Sequence, residues 1–378
     1  MPWTERTVMS ERLEFVTFAR QGGAPLGELC RRYGVSRKTG YKWLGRHGAG
    51  AGLADQSRRP RHSPWKTPPA VEAEVLRLRE KHPAWGGRKL KRRYEDLGNG
   101  RAPSASTITE ILRRHGKLQA MEGLKHKAWQ RFEALGPNDL WQMDFKGHIS
   151  AGRGRCHPLT VLDDSTRYAV GIEACANERH ETVKGRLIGV FRRYGLPYRM
   201  LMDNGAPWGS DLDHQDTLLT VWLMRCGIEV VHCRPYHPQT QGKEERFNRT
   251  LKAEVLQGRS FSGIAECQEA FGKWRHVYNF ERPHEALGMA VPASRYVASP
   301  RSYPEVLPRV AYGPGDEVRK VNEPGGWLSF AGRFFKVGKA FIGYPVAIRP
   351  TAEDGVYGVY FQTSRIARID LKAENVAQ

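Results

Sequence analysis

Leu26, Leu29, Cys30 and Tyr33 recur at helical spacing until Gly34 breaks the run, and Ser36 stands where it can cap a second helix ending near Leu44. A short helix, a glycine turn and a basic second helix predict a helix-turn-helix over residues 1–46. Residues 47–69 turn Gly-rich and then Pro- and Arg-rich, which predicts a linker. A second helical set follows over 70–134, in "VEAEVLRLREKH", "GRKLKRRYEDLG" and "APSASTITEILRRHG". In the last of these Thr107 and Glu110 have capping-box spacing and Ile108, Ile111 and Leu112 form the stripe to be buried.

From residue 137 the periodicity changes. "LWQMDFKGHI", "HPLTVLDD" and "RYAVGIEA" read as strands. A helix carrying Val183, Leu187, Val190, Phe191 and Tyr194 comes next, then strand "YRMLMDNG", helix "TLLTVWLMRCG", strand "IEVVHC" and the helix of "GKEERFNRTLKAE". Strand, strand, strand, helix, strand, helix, strand, helix is the order of a ribonuclease-H-like α/β domain, assigned to 135–297. Residues 298–378 offer "GWLSF", "GRFFKVG", "YPVAIRP", "GVYGVYF" and "SRIARIDL", with turns at Ala331-Gly332 and Asp354-Gly355. These predict a small SH3-like β-barrel, whose Lys336, Arg349, Arg365 and Arg368 suit either a DNA or partner contact or a plain structural appendage.

Charge adds a partner to this layout. The chain of 378 residues has a formal net charge of +20. Residues 1–136 hold 28 Lys and Arg against 13 Asp and Glu, so the helical third carries most of the excess. The expected polyanion is double-stranded DNA, met by Arg37, Lys38 and Lys42 of the first helix-turn-helix, with a solvated basic bundle as the plainer alternative. Arg58, Arg59 and Arg61 make the linker either an arm along the DNA backbone or a simple tether. No apolar run reaches membrane-spanning length and the amino terminus is too polar for a secretion signal, so the expectation is a cytoplasmic, nucleoid-associated protein without a membrane partner. Six scattered cysteines form no C-x-x-C pair, and Cys226, His232, Cys233 and His237 lack the tight paired spacing of structural zinc sites.

The strands also carry acid. Asp144 lies in mid-strand among apolar neighbours, where an aspartate is disfavoured unless paired or bound to a metal. Asp203 ends a strand, but Asp-Asn-Gly is equally an ordinary turn. Glu244 shares a stripe with Phe247, Leu251 and Val255, which must pack on the domain, whereas Glu245 shares a polar stripe with Asn248, Arg249 and Lys252. Glu245 is therefore the better metal ligand of the two, an ion pair with Arg249 being the alternative.

"WQMDF", "LMDNG", "RPYHPQTQGKEERFNRTLKAE" and "YNFERPHEALGMAVPASRY", taken in order, resemble bacterial insertion-sequence transposases of the retroviral-integrase-like DDE superfamily over about residues 137–297. The resemblance implies a catalytic and metal-binding set of Asp144, Asp203 and Glu245, with Mg²⁺ or Mn²⁺, two ions per site, as cofactor. It implies DNA-backbone contacts from Lys243, Arg249 and Lys252, and DNA positioning by His237, Gln239 and Gln241 unless their loop is merely solvated. It also implies strand cleavage and strand transfer by at least a dimer acting on element ends and target DNA. Asp163 and Asp164 are assigned a structural role. One departure is the 41 residues between Asp203 and Glu245, more than the family pattern, which places an insertion in "APWGSDLDHQDT". A non-catalytic DNA-binding regulator or inactive domesticated relative is the main alternative, and a ribonuclease-H-type nuclease accounts for the core but not for the helical heads.

Overall fold

The computed structural model describes residues 7–57, 66–118, 133–209, 216–233 and 242–373. The chain forms two compact units, Met1–Lys66 and Thr67–Gln378.

The first unit is three helices, α1 (Val8–Gln21), α2 (Leu26–Arg32) and α3 (Arg37–Gly48). Gly34 takes a positive φ of 64° at the turn, and the Ser36 hydroxyl accepts from the Thr39 amide at 3.2 Å to start α3. The sequence reading does not predict α1. Its Phe15 and Val16 nevertheless complete the core with Leu29, Cys30 and Trp43. Gly40 of α3 allows this approach, because a Cβ there would stand 2.7 Å from the Cys30 sulfur.

The second unit opens with α4 (Pro69–Lys81), α5 (Gly87–Asp96) and α6 (Ala105–Arg114) around Val75, Trp85, Leu90, Ile108, Ile111 and Leu112. The cap of α6 differs from expectation. Ser104 accepts from the Thr107 amide at 3.1 Å, while Glu110 lies a turn further on and pairs with Arg113. The predicted box was set one turn too late, since "PSAS" supplies a hydroxyl directly after proline.

The α/β layer follows, with strands β1 (Leu140–Phe145), β2 (Ile149–Ala151), β3 (Gly154–Asp163), β4 (Ala169–Cys175), β5 (Arg199–Met202) and β6 (Glu229–His232). Their order is β2-β3-β1-β5-β6 with β4 also on β3. β1 runs antiparallel to β3 and parallel to β5. Helices α7 (His180–Tyr194) and α8 (Leu218–Arg225) cover one face, through Val183, Leu187, Phe191 and Trp222 against Trp141, Met143 and Met200. Helices α9 (Gly242–Leu251) and α10 (Ile264–His276) cover the other, through Phe247, Leu251, Phe271 and Trp274 against Leu162 and Ile172. This is the predicted ribonuclease-H-like order, built in two faces around one sheet.

The C-terminal region is β-rich but is not the closed barrel expected. Strands β7 (Glu317–Lys320), β10 (Pro345–Pro350), β11 (Val356–Phe361) and β12 (Ser364–Asp370) form an open sheet in the order β12-β11-β10-β7. Strands β8 (Trp327–Phe330) and β9 (Arg333–Lys336) form a separate hairpin. Ala331 and Gly332 both take positive φ in the turn of that hairpin, as the right-handed twist of two short strands requires. β7, with Val318 as its single apolar residue, carries no alternating apolar face, and so it was not predicted. The two sheets share a core with Val221 and Met224 of α8. A sheet that can lean on a neighbouring helix need not close on itself.

Candidate active site

Period-two alternation decides where the first acid points. Trp141 and Met143 of β1 face α7 and α8, so Gln142 and Asp144 face α9. Parallel pairing matches Gln142 to Leu201, and two residues further along the two strands come Asp144 and Asp203. The loop after Asp203 is pinned beside β1 by Trp208, whose buried ring stacks on Phe145 at 5.2 Å between centroids. The two aspartates are thereby neighbours: burial, then the Asp203 charge, pushes the Asp144 carboxyl up to about 6.

Both carboxylates are thinly partnered. Asp144 accepts from Asn248 Nδ2 at 2.9 Å and from the Phe145 backbone amide, and Asp203 accepts from the amide of Gly205 at 3.0 Å within its own turn. Strand neighbour Thr160, opposite Asp144, donates to the Asp144 carbonyl at 3.0 Å. His232 Nδ1 lies 3.1 Å from the Asp203 carbonyl.

Helix α9 closes the site, and its two glutamates part as the stripes predict. Glu244 is fully buried with Phe247 and Leu251, and neither of its carboxylate oxygens has a hydrogen-bond partner. Burial first, and the charge of Asp144 with it, pushes Glu244 up to about 8. Glu245 is exposed on the next flank, three residues before Asn248, and makes no ion pair with Arg249 among the described residues. No group of three or more His, Cys, Asp or Glu side chains among the described residues stands in metal-holding geometry. The structure therefore brings Asp144 and Asp203 together and leaves Glu245 exposed on α9. Past Leu251 the helix widens into a π turn, Lys252–Leu256, that carries exposed Lys252.

The basic residues divide likewise. Arg37, Lys38 and Lys42 are exposed on α3 without carboxylate partners among the described residues, and Arg249 is exposed. Lys243 corrects the sequence reading: it turns inward and pairs with buried Asp164 at 2.6 Å, so it is not a free DNA contact. A lysine at the start of α9 reaches buried Asp164 at the end of β3. Arg58, Arg59, Arg61, His237, Gln239 and Gln241 lie outside the described residues, as does half of the expected insertion, 210–215. Sequence reasoning missed Asn248 and Thr160 as partners of Asp144, and exposed Tyr41 between Lys38 and Lys42. Asn248 was legible as the central member of the Glu245 stripe, but Thr160 depends on strand register.

Comparison with known proteins extends the picture over most of the chain. An integrase core domain matches residues 134–238, a second integrase core domain matches 226–292, and the C-terminal domain of IS481 family transposases matches 316–377. The chain thus carries an integrase core and an IS481-type transposase C-terminal domain. A helix-turn-helix domain matches residues 11–61 and a homeodomain-like domain matches 39–112. Similar proteins include an uncharacterized 39.2 kDa protein of insertion element IS476 from Xanthomonas euvesicatoria, 28% identical over 264 residues, 68% of this chain and 72% of that one. A 31.7 kDa protein of insertion element IS407 from Burkholderia multivorans is 28% identical over 166 residues, 44% of this chain and 57% of its own length. Among solved structures, a simian T-cell lymphotropic virus intasome chain aligns at 14% identity and TM-score 0.38 over 78% of this chain and 99% of that one. The HTLV-2 integrase catalytic core, solved in complex with magnesium, aligns at 15% identity and TM-score 0.34 over 44% of this chain and 100% of its own. No helix among the described residues is long and apolar enough to cross a membrane.

Proposed function

We propose that this chain is a DNA transposase that binds the ends of its element and catalyses metal-dependent strand cleavage and strand transfer, with Asp144, Asp203 and Glu245 as its acidic set. The observation that supports the reading is the Asn248–Asp144 hydrogen bond of 2.9 Å, which ties α9, the helix that carries Glu245, to Asp144. Two neighbouring carboxylates that repel each other, with no cationic side chain paired to either among the described residues, suit a hard divalent cation. Magnesium is often held by one or two protein carboxylates with water and substrate phosphate completing its shell. When bound, such an ion activates the attacking oxygen, stabilises the leaving oxygen and neutralises developing charge. Asp144 and Asp203 would hold it from the sheet and Glu245 from the helix. Buried Glu244, an acid held protonated at neutral pH and shut off from solvent, is the poorer ligand.

Around that centre the protein supplies position. Hydrolysis of a phosphodiester at the element end frees a 3′ hydroxyl, which attacks a target phosphodiester and releases a new 3′ hydroxyl, with no protein nucleophile. Arg249 and Lys252 would hold the scissile strand by its phosphates, while Arg37, Lys38 and Lys42 read or grip the element end. Pairing two ends calls for at least a dimer on DNA.

A second reading, a DNA-binding protein without catalysis, is favoured by one observation: exposed Glu245 does not complete a three-carboxylate cluster. The deciding experiment incubates the purified chain with a duplex carrying its element's end and Mg²⁺, beside Asp144→Asn, Glu245→Gln and Glu244→Gln. The expected result is nicking by the wild type and by Glu244→Gln, and none by the other two. Binding without nicking by every form would establish the second reading.

A further inference from the structure

Within the second unit, the helical head α4–α6 docks on the segment after α10 chiefly by charge. Arg93 Nη2 of α5 and Lys81 Nζ at the end of α4 both donate to Glu281 Oε2, at 2.7 and 3.2 Å. Water is largely kept from this contact: the Arg93 and Glu281 side chains are 16% and 18% exposed, and Nε of Arg93 is buried without a hydrogen-bond partner. Arg88 of α5 and Glu285, both exposed, stand 4.0 Å apart, and Val277 packs against the head's core. The bed under Glu281 is braced from two sides. It is the last residue of a π turn, Val277–Glu281, that continues α10. Within that turn the fully buried Asn279 accepts from the Ala169 amide at 2.8 Å and donates to the Ala169 carbonyl at 3.0 Å, which fastens the turn to the start of β4. Arg282, next in the chain, pairs with Glu254 at 3.1 Å, and Glu254 also accepts from Trp274 Nε1 at 2.8 Å. Glu254 belongs to the π turn that continues α9, the helix tied to Asp144 through Asn248. A continuous run of backbone and side-chain hydrogen bonds therefore leads from Arg93 of the head to Asp144.

We propose that Glu281 is a positioning residue for strand cleavage: by clamping α5 and the end of α4 to a segment braced against α9 and β4, it fixes the span from DNA held on α6 to the Asp144–Asp203 pair, and so selects which phosphodiester is cut. The third helix of such a head is the one that enters the major groove. Docking through α4 and α5 occupies none of the charged groups of α6, whose ion pairs, Arg113 with Glu110 and Arg114 with Glu72, stay within the head. Without the Glu281 carboxylate the shielded Arg93 has no counter-charge at the seam, which favours release of the head. The inference rests on the reading of this chain as a DNA transposase.

The test maps nicks on a duplex carrying the element's end, with Mg²⁺, for the full chain, Glu281→Gln, the exchanged pair Glu281→Arg/Arg93→Glu, and the control Arg92→Gln, whose side chain pairs with Asp96 within α5. In Glu281→Gln the rate of nicking at the wild-type phosphodiester on saturating DNA should fall by roughly 10- to 100-fold, with the remaining nicks scattered over neighbouring positions and the DNA concentration for half-maximal nicking unchanged. The exchanged pair should regain most of the rate and the single position, and the control should match the wild type. Wild-type rate and position in Glu281→Gln overturn the clamp and leave the transposase reading standing. An exchanged pair that melts as the wild type does but regains neither rate nor position makes Glu281 a structural acid and overturns the clamp too. Should Glu281→Gln fail to fold, Lys81→Gln/Arg93→Gln removes the docking cations from the other side and is read in the same way. Absence of nicking by the wild type overturns the transposase reading and the clamp together.

Discussion

Two pairs of aspartates sit within a few residues of the same strands and have opposite surroundings. Asp163 and Asp164, at the end of β3, are buried and saturated. Asp163 accepts from the Asn138 amide at 2.7 Å and from the amide and hydroxyl of Thr166 at 2.8 and 2.6 Å. Asp164 accepts from the Ala134 amide, Gln142 Nε2 and Lys243 Nζ at 2.7, 2.6 and 2.6 Å. Asp144 and Asp203, close enough for the charge of one to raise the other, have fewer donors: the Asn248 side-chain amide and the Phe145 backbone for Asp144, and the Gly205 amide for Asp203. A carboxylate whose acceptors are filled by the protein is part of the scaffold, and one left short of donors beside a like charge is poised for a cation. Side-chain type is identical in the two pairs, so the donors around it make the difference.

Breaking the saturated pair should have the largest effect. Asp164→Ala strands a buried amide, a buried amide side chain and the Lys243 ammonium, and should lower stability by about 3–5 kcal/mol in chemical denaturation. Unchanged stability would remove Asp164 from the scaffold. The contrary change is expected at Glu244, a buried acid with neither kind of partner. Its raised folded pKa means that the stability secured by its protonated form is fully present below about pH 4.5 and lost as pH rises through about 8. Glu244→Leu should therefore stabilise the protein by roughly 2 kcal/mol above pH 8, with the gain shrinking in acid; a loss of stability there would refute this account.

At the unsaturated pair the expected response is to metal. Asp144 is raised to about 6, so the protein without metal loses stability as pH rises through that value, and the same deprotonation prepares a ligand. Thermal melting should show Mg²⁺ stabilising the wild type at pH 8 and hardly at all below pH 6, with Asp144→Asn insensitive to Mg²⁺ at every pH. An Mg²⁺ response that survives in the variant would place the ion elsewhere. The smallest change is Asn248→Ala, which removes the donor tying α9 to Asp144; it should cost about 1 kcal/mol and weaken the Mg²⁺ response without abolishing it.

Much of this was readable along the chain, because local rules wrote it there. Glycine and hydroxyl punctuation marked α2, α3 and the hairpin turn at Ala331-Gly332, and alternating or helical periodicity marked the core elements in order. The stripe argument separated buried Glu244 from exposed Glu245 before any packing was known. Asp144 was conspicuous because an acid amid "WQM" and "F" needs a reason to be there.

Other features had no local signal. Whether β1 and β5 bring Asp144 beside Asp203 depends on parallel register, and whether Thr160 lies across from Asp144 depends on antiparallel register, both set by pairing between distant segments. Lys243 looked like a free cation until the fold placed Asp164 within its reach, and Arg93 became a docking group only because Glu281 meets it from the far side of the unit. The closed barrel failed for the same reason, since α8 covers apolar surface that strands alone would have had to cover. Sequence by itself determined the elements, their order and the supply of acids and bases, because those follow from periodicity and residue chemistry. Tertiary structure alone decided which charges are satisfied and which are left over, because an ion's partners are set by distance in space and not by position along the chain.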